Sequence, residues 1–187
     1  MSAVKALYAV STNRQLTFDQ KVAAFLKIGI EKLNLETAIV SRVTDYTYTI
    51  AHAVSPNPDI AVGAQFSLAE TYCVDALKAG DVLTYHNINV HPGAEHPCYD
   101  KYPMRSYISL PLQVNGETYG TLNFSSLEPR DAPFSDEEVD YVYCVAGWIS
   151  TTLSKHEQIA ELKAQRDEIE ERNVLLNQIA ELAGIGT

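Results

Sequence analysis

The sequence predicts an α+β fold in which an antiparallel sheet carries helices on one face and a long helix leaves the body at its end. Three observations carry this. Residues 106–126 alternate in the strand period around Asn115 and Gly116, the strongest short-range hairpin signal. Residues 18–33 repeat apolar side chains at helical spacing. Composition also breaks near residue 150: all 11 Tyr, all five Phe and all eight Pro precede it, and no aromatic residue or proline follows Trp148.

The first helix is set by Phe18, Val22, Phe25, Leu26, Ile30 and Leu33, with Thr17 placed to cap it. Residues 37–44 and 46–53 are rich in β-branched and aromatic side chains, and Asp45 between them makes them a hairpin. A proline-rich loop, 55–59, ends it. Residues 70–79 read as a short helix stopped by Gly80, and 82–85 as a short strand. The stretch 87–103 is irregular, with three prolines, and is expected to be a long loop holding at most one helical turn.

In the hairpin of 106–126 the two faces differ. Ile108, Leu110, Leu112 and Val114 share one side of the first strand, with Gly120, Leu122 and Phe124 on the corresponding side of the second. Tyr107, Ser109, Pro111 and Gln113 share the other with Tyr119, Thr121, Asn123 and Ser125. The first face suits helices. The second, polar and aromatic but uncharged, suits a small ligand, an ordinary solvated face being the alternative.

Ser135 and Glu138 form a capping box ahead of Val139, so a helix starts there, and no stop precedes Gly184. About 48 residues of helix would reach on the order of 70 Å, too long for a small body to cover. Residues 154–181 carry seven acids and four bases with no glycine, the usage of a solvated helix. A weak heptad runs through them, with Ile159, Arg166, Asn173 and Ala180 at a and Leu162, Ile169, Leu176 and Ala183 at d. Asn at an a position favours a parallel, register-fixed pair at a cost in stability. The boundary is therefore set at 153/154, a folded domain over 10–153 and a coiled-coil signalling linker over 154–187.

A net charge of -10 without a basic cluster argues against nucleic acid as partner. Cys73, Cys98 and Cys144 lack the spacing of a disulfide framework or a zinc site, which points to a reducing compartment. No apolar run approaches the roughly 20 residues of a membrane span, so a cytoplasmic location is expected.

The order of elements and several strings resemble a GAF domain: FSLAETYC at 66–73, HPCY at 96–99 leading to RSYISLPL at 105–112, and GETYGTLNF at 116–124. EPR at 128–130, FSDEE at 134–138 and AGWI at 146–149 look like the close of GAF domains at the front of bacterial sensor proteins. The resemblance covers about residues 10–153. IAELAGIGT at 179–187 is similar to the lead-in of a PAS domain. It implies a longer sensor in which a PAS domain and a histidine kinase, as in two-component systems, or a diguanylate cyclase follow in the same chain. It further implies a six-stranded antiparallel sheet with the terminal helices on one face and a ligand pocket on the other. A homodimer through the N- and C-terminal helices, with Trp148 and the heptad residues at its seam, is implied as well.

On that resemblance the ligand-binding candidates are Tyr72 and Cys73 on the short helix, His96, Cys98 and Tyr99 in the loop, Arg105 at the mouth, and Tyr107, Ser109, Tyr119, Thr121 and Asn123 on the sheet. Arg105 could hold an anion, the alternative being an ion pair with Glu70 or Asp100. Bilin-binding GAF domains place a linking cysteine before a histidine, but Tyr99 follows Cys98 here, which argues against bilin. His86, His91 and His96 match metal or axial haem spacing poorly, so neither a metal nor haem is expected. Cyclic nucleotide, amino acid or another small metabolite remain open. No hydrolase, Walker or metalloprotease motif is present, and the expected function is a non-catalytic sensory input domain. A ligand-free dimerisation module is the second reading, and a free methionine sulfoxide reductase using Cys73 and Cys98 the third.

Overall fold

The computed structural model describes residues 2–90, 96 and 98–184. His91, the side chain of Asp100 and residues 185–187 of the PAS-like string lie outside them. The chain divides into two compact units, Met1–Ser150 and Thr151–Thr187.

The first unit begins with α1, Ala3–Thr12, an element not expected from the sequence. It has no fully buried residue, but Ala3, Ala6, Leu7 and Val10 are half-buried at helical spacing while Val4 and Tyr8 are exposed, a stripe made weak by its two alanines. Helix α2, Phe18–Leu33, starts as expected at Thr17, whose hydroxyl accepts from the Gln20 amide while the Gln20 side chain accepts from the Thr17 amide. Strands β1 (Thr37–Thr44) and β2 (Thr47–Val54) turn through Asp45 and Tyr46, Asp45 taking a φ of 54°. Strand β3, Gln65–Ser67, is an edge strand on β2, too short at three residues to leave a periodic trace.

The expected helix over 70–79 starts later. Leu68–Glu70 is a 3-10 turn, Thr71 is extended, and α3 covers Cys73–Ala79 before Gly80 closes it at a φ of 68°. Strand β4 is Leu83–Tyr85. The loop beyond it holds a 3-10 turn, Ile88–Val90, and one helical turn, α4, at Cys98–Lys101. Strands β5 (Ser106–Val114) and β6 (Glu117–Ser126) form the expected hairpin, with Asn115 and Gly116 both at positive φ, as a type I′ turn demands. The six strands pair antiparallel in the order β3-β2-β1-β6-β5-β4.

Helix α5 runs from Asp136 to Leu182. Glu138 accepts from the Ser135 amide at 2.8 Å and its own amide donates to the Ser135 hydroxyl at 3.4 Å, the predicted capping box. Arg130 braces this start, its guanidinium forking onto Glu138 at 2.8 and 3.0 Å and also donating to the Leu33 carbonyl at the end of α2. One sheet face carries α2 and the first turns of α5. Phe124 meets Tyr141 ring to ring at 6.5 Å, and the Tyr141 hydroxyl donates to the Phe25 carbonyl at 2.6 Å. Gly29 lets α2 settle this closely, because a Cβ there would stand 2.6 Å from Phe124 Cζ.

Trp148, expected from the sequence at the dimer seam, is half-buried and also contacts α2 of its own chain. Its ring stacks on Phe18 at 5.8 Å and meets Phe25 edge-on at 4.9 Å. It stands on α5 at the edge of the buried stripe that includes Val145 and Ile149.

In the second unit the helix exposes Ile159, Leu162, Ile169 and Leu176 at heptad positions. Val174, Leu175 and Ile179, which the heptad does not use, are exposed too. Arg166 pairs with Asp167 at 2.6 Å, and Arg172 with Glu168 one turn earlier at 3.4 Å. Among the described residues no helix is long and apolar enough to cross a membrane.

Candidate functional site

A cavity of about 130 Å³ opens on the sheet face opposite α2. Alternation decides which side chains reach it: Ile39 on β1, Tyr48 and Ile50 on β2, Tyr107 on β5, and Asn123 and Ser125 on β6. Thr71, Tyr72 and Cys73 close it at the start of α3, with Cys98, Tyr102, Pro103 and Met104 from α4 and the segment behind it. Ile60 and Phe66 stand in the wall beside β2, and Asn57 and Leu127 also line the cavity. Ile39, Tyr48, Ile50, Tyr72, Cys73, Cys98 and Tyr107 belong to one apolar core cluster, rich in tyrosine, against which Ile60, Phe66, Tyr102 and Met104 pack.

Below the cavity lies a buried polar network built by four strands, β1, β2, β5 and β6, around Cys73 of α3. The Ser41 hydroxyl accepts from the Thr121 amide at 3.0 Å and meets the Thr121 hydroxyl at 2.9 Å, standing where the β1–β6 ladder has already ended at Val40 and Leu122. Thr121 Oγ1 contacts Cys73 Sγ at 3.3 Å, and Cys73 Sγ meets the Tyr107 hydroxyl at 3.1 Å. Asn123 Nδ2 donates to the Tyr48 hydroxyl at 3.0 Å and approaches Cys73 Sγ at 3.6 Å. Gly120 sets this depth, since β6 runs so close to Ser41 that no Cβ would fit between them.

Burial fixes the protonation of these groups. It raises the Cys73 thiol, against hydrogen bonds from Thr121 and Tyr107 that act the other way, and pushes Cys98 up to about 12. The hydroxyls of Tyr48 and Tyr107 are likewise raised well above the ordinary phenol value by burial. At neutral pH all four are uncharged. They can orient a ligand by hydrogen bonds, but the thiols are not primed as nucleophiles.

The structure brings Tyr72, Cys73, Cys98, Tyr107 and Asn123 together on the cavity wall. Thr121 and Ser109 are fully buried on the same face but stand behind the wall, Thr121 inside the network. His96 lies beside the roof, its ring 5.1 Å from Tyr72, its Nδ1 accepting from the Cys98 amide at 3.0 Å and its Nε2 3.9 Å from Asp75. Tyr99 faces away, donating to Asn89 at 2.8 Å. Arg105 is spent locally: it stacks 4.4 Å from the Tyr99 ring and donates to the Met104 carbonyl, while Lys101 is the partner of Glu70. Tyr119 sits on its strand before Gly120, against Arg42 at 5.9 Å and away from the cavity. Among the described residues no cluster of His, Cys, Asp or Glu could hold a metal.

The sequence puts Ser125 on the ligand face without making it a binding candidate, and gives no role to Tyr48 and Ile50, although these alternate visibly along β2. Ile60, Tyr102 and Met104 come from irregular segments and carry no periodic signal.

No curated protein matches the chain. Solved structures do, at low identity. A GAF domain of an Acinetobacter phosphoenolpyruvate-protein phosphotransferase is 11% identical with a TM-score of 0.67, covering 86% of this chain and 99% of its own. The phycoerythrobilin-bound GAF domain of a cyanobacterial phytochrome is 13% identical at 0.68, covering 86% and 98%. A free methionine-R-sulfoxide reductase from Neisseria meningitidis, in complex with its substrate, is 15% identical at 0.62, covering 83% and 89%. These likenesses show the fold alone. The family model of the GAF domain matches residues 14–153, and with the six-stranded sheet and the long closing helix it establishes that this chain belongs to the GAF domain family.

Proposed function

We propose that this GAF domain is a non-catalytic input domain that binds a small molecule in the tyrosine-walled cavity and passes the change to helix α5. One observation carries the reading. Neighbouring residues of β6 face opposite sides of the sheet, so that Asn123 lines the cavity while Phe124 packs on Tyr141 of α5. A ligand that engages Asn123 pulls on the strand that seats the helix, and interior packing transmits such shifts with little compliance.

The apolar residues exposed along 159–179 support a parallel homodimer as the transmitting element, with Asn173 fixing its register. This role calls for an output in the same chain, which we take to be a PAS domain followed by a kinase or a cyclase. The uncharged, buried state of Cys73 and Cys98 speaks for binding and against thiol redox catalysis.

Native mass spectrometry of the purified chain, mixed with a cellular metabolite extract, is the test. A dimer that acquires discrete extra mass supports the reading, and Asn173→Ile should tighten the dimer at least about tenfold by removing a polar group from the seam. A chain that stays monomeric at about 100 μM, above the micromolar Kd such a pair needs, with and without that substitution, refutes transmission through paired helices.

A further inference from the structure

We infer that the cavity takes a neutral, single-ring aromatic molecule bearing a hydrogen-bond donor, such as a phenol or an aniline; this rests on the input-domain reading and names its ligand class. Size sets the first limit. A volume of about 130 Å³ is close to the roughly 150 Å³ of an apolar cavity that accepts benzene, and a tetrapyrrole or a nucleotide needs several hundred.

Charge sets the second limit, because among the described residues no side chain lining the cavity is ionic. The two cations near its rim are committed elsewhere, Arg105 to the Met104 carbonyl and the Tyr99 ring and Lys101 to Glu70. A phosphate or carboxylate drawn inside would lose its hydration without gaining a partner. The walls favour a ring: Tyr48 and Phe66 meet edge-on at 6.2 Å, and Phe66 meets Tyr102 at 5.9 Å, leaving ring faces and edges for a further aromatic partner.

The remaining polar groups name the handle. Asn123 uses its Nδ2 on Tyr48, while its side-chain oxygen, an acceptor only, receives no hydrogen bond from a described residue. Among the described residues the hydroxyl of Ser125, also on the wall, has no hydrogen-bond partner either. A ligand O–H or N–H supplies what Asn123 lacks, and an aryl ring behind it fills the apolar remainder.

Four probes added to the full chain decide the matter: phenol, anisole, benzoate and cyclic AMP, followed by titration calorimetry. The wall is read by intermolecular NOEs to the methyls of Ile50, Ile60 and Met104. Phenol should bind one per chain with NOEs to these methyls, anisole about tenfold more weakly for want of the donor, and benzoate and cyclic AMP not at all. Ile60→Phe, at a half-buried wall position, should abolish phenol binding while leaving circular dichroism unchanged. Should that variant fail to fold, the NOEs on the parent chain decide alone. Binding of benzoate or cyclic AMP at the same methyls overturns this ligand class and leaves the input-domain reading standing. Equal binding of phenol and anisole, NOEs elsewhere, or no binding by any probe overturns the inference, and the metabolite screen then judges the input domain separately.

Discussion

Replacing Gly120 and Gly147 by alanine should move stability in opposite directions, although both glycines lie in regular elements of the first unit. A Cβ on Gly120 would stand 2.7 Å from the Ser41 carbonyl carbon and 3.0 Å from Arg42 Cα, with the Ser41 carbonyl oxygen closer still, where ordinary contact begins at 3.4 Å. All three are backbone atoms, so no rotamer change relieves them and β6 must move off β1. The move strains the next residue, Thr121, whose amide and hydroxyl hold the buried Ser41 hydroxyl at 3.0 and 2.9 Å. Overpacking of about 2 kcal/mol and roughly 1 kcal/mol for a weakened buried hydrogen bond give about 3 kcal/mol of destabilisation. At Gly147, exposed on α5, a Cβ meets nothing within 4 Å, and alanine should add about 1 kcal/mol through helix propensity. With a urea m-value near 2 kcal/mol/M, the midpoints shift by about -1.5 M and +0.5 M. Trp148, the single tryptophan, reports the transition by fluorescence from its stack on Phe18. A Gly120→Ala midpoint within about 0.3 M of the parent or above it would refute the close approach of β6 to Ser41, and a Gly147→Ala midpoint below the parent would refute the open site on α5.

A thiol reagent such as DTNB at pH 8 should label one cysteine quickly, the exposed Cys144, and reach buried Cys73 and Cys98 only as urea unfolds the chain; a second fast thiol in the native protein would contradict their raised pKa values. His52 titrates below its ordinary value of 6.5 because burial disfavours the imidazolium, with Asp19 at 3.8 Å opposing in part. The unfolded chain therefore binds the proton more readily, and the stability tied to neutral His52 is present above pH 6.5 and lost as pH falls through the folded value. Urea midpoints between pH 7.5 and 5 should fall for the parent and fall less for His52→Gln, the difference in slope staying below about 1.4 kcal/mol per pH unit, and identical slopes would exclude His52 as the source.

Local chemistry in the chain is enough to place α2 through Thr17 and its capping box, the β5–β6 hairpin through Asn115 and Gly116, and the start of α5 through Ser135 and Glu138. Each depends on contacts within a few residues, which a linear reading can see. The period of two likewise sorts Asn123 from Phe124, and so separates a ligand face from a helix face on the strength of the pleat alone. Tertiary packing decides the rest. Tyr119 shares the alternation of Thr121 and Asn123 but sits where β6 leaves the pocket, so period alone could not exclude it. Arg105 and His96 lie near the rim, and only the distances to Tyr99, Met104, Tyr72 and Asp75 show them already engaged. That Trp148 rests on Phe18 and Phe25 of α2 is likewise visible only in the folded chain. The size of the cavity belongs here too, because Ile60, Tyr102 and Met104 reach it from segments without periodicity, and a volume exists only once three distant stretches of chain have closed around it.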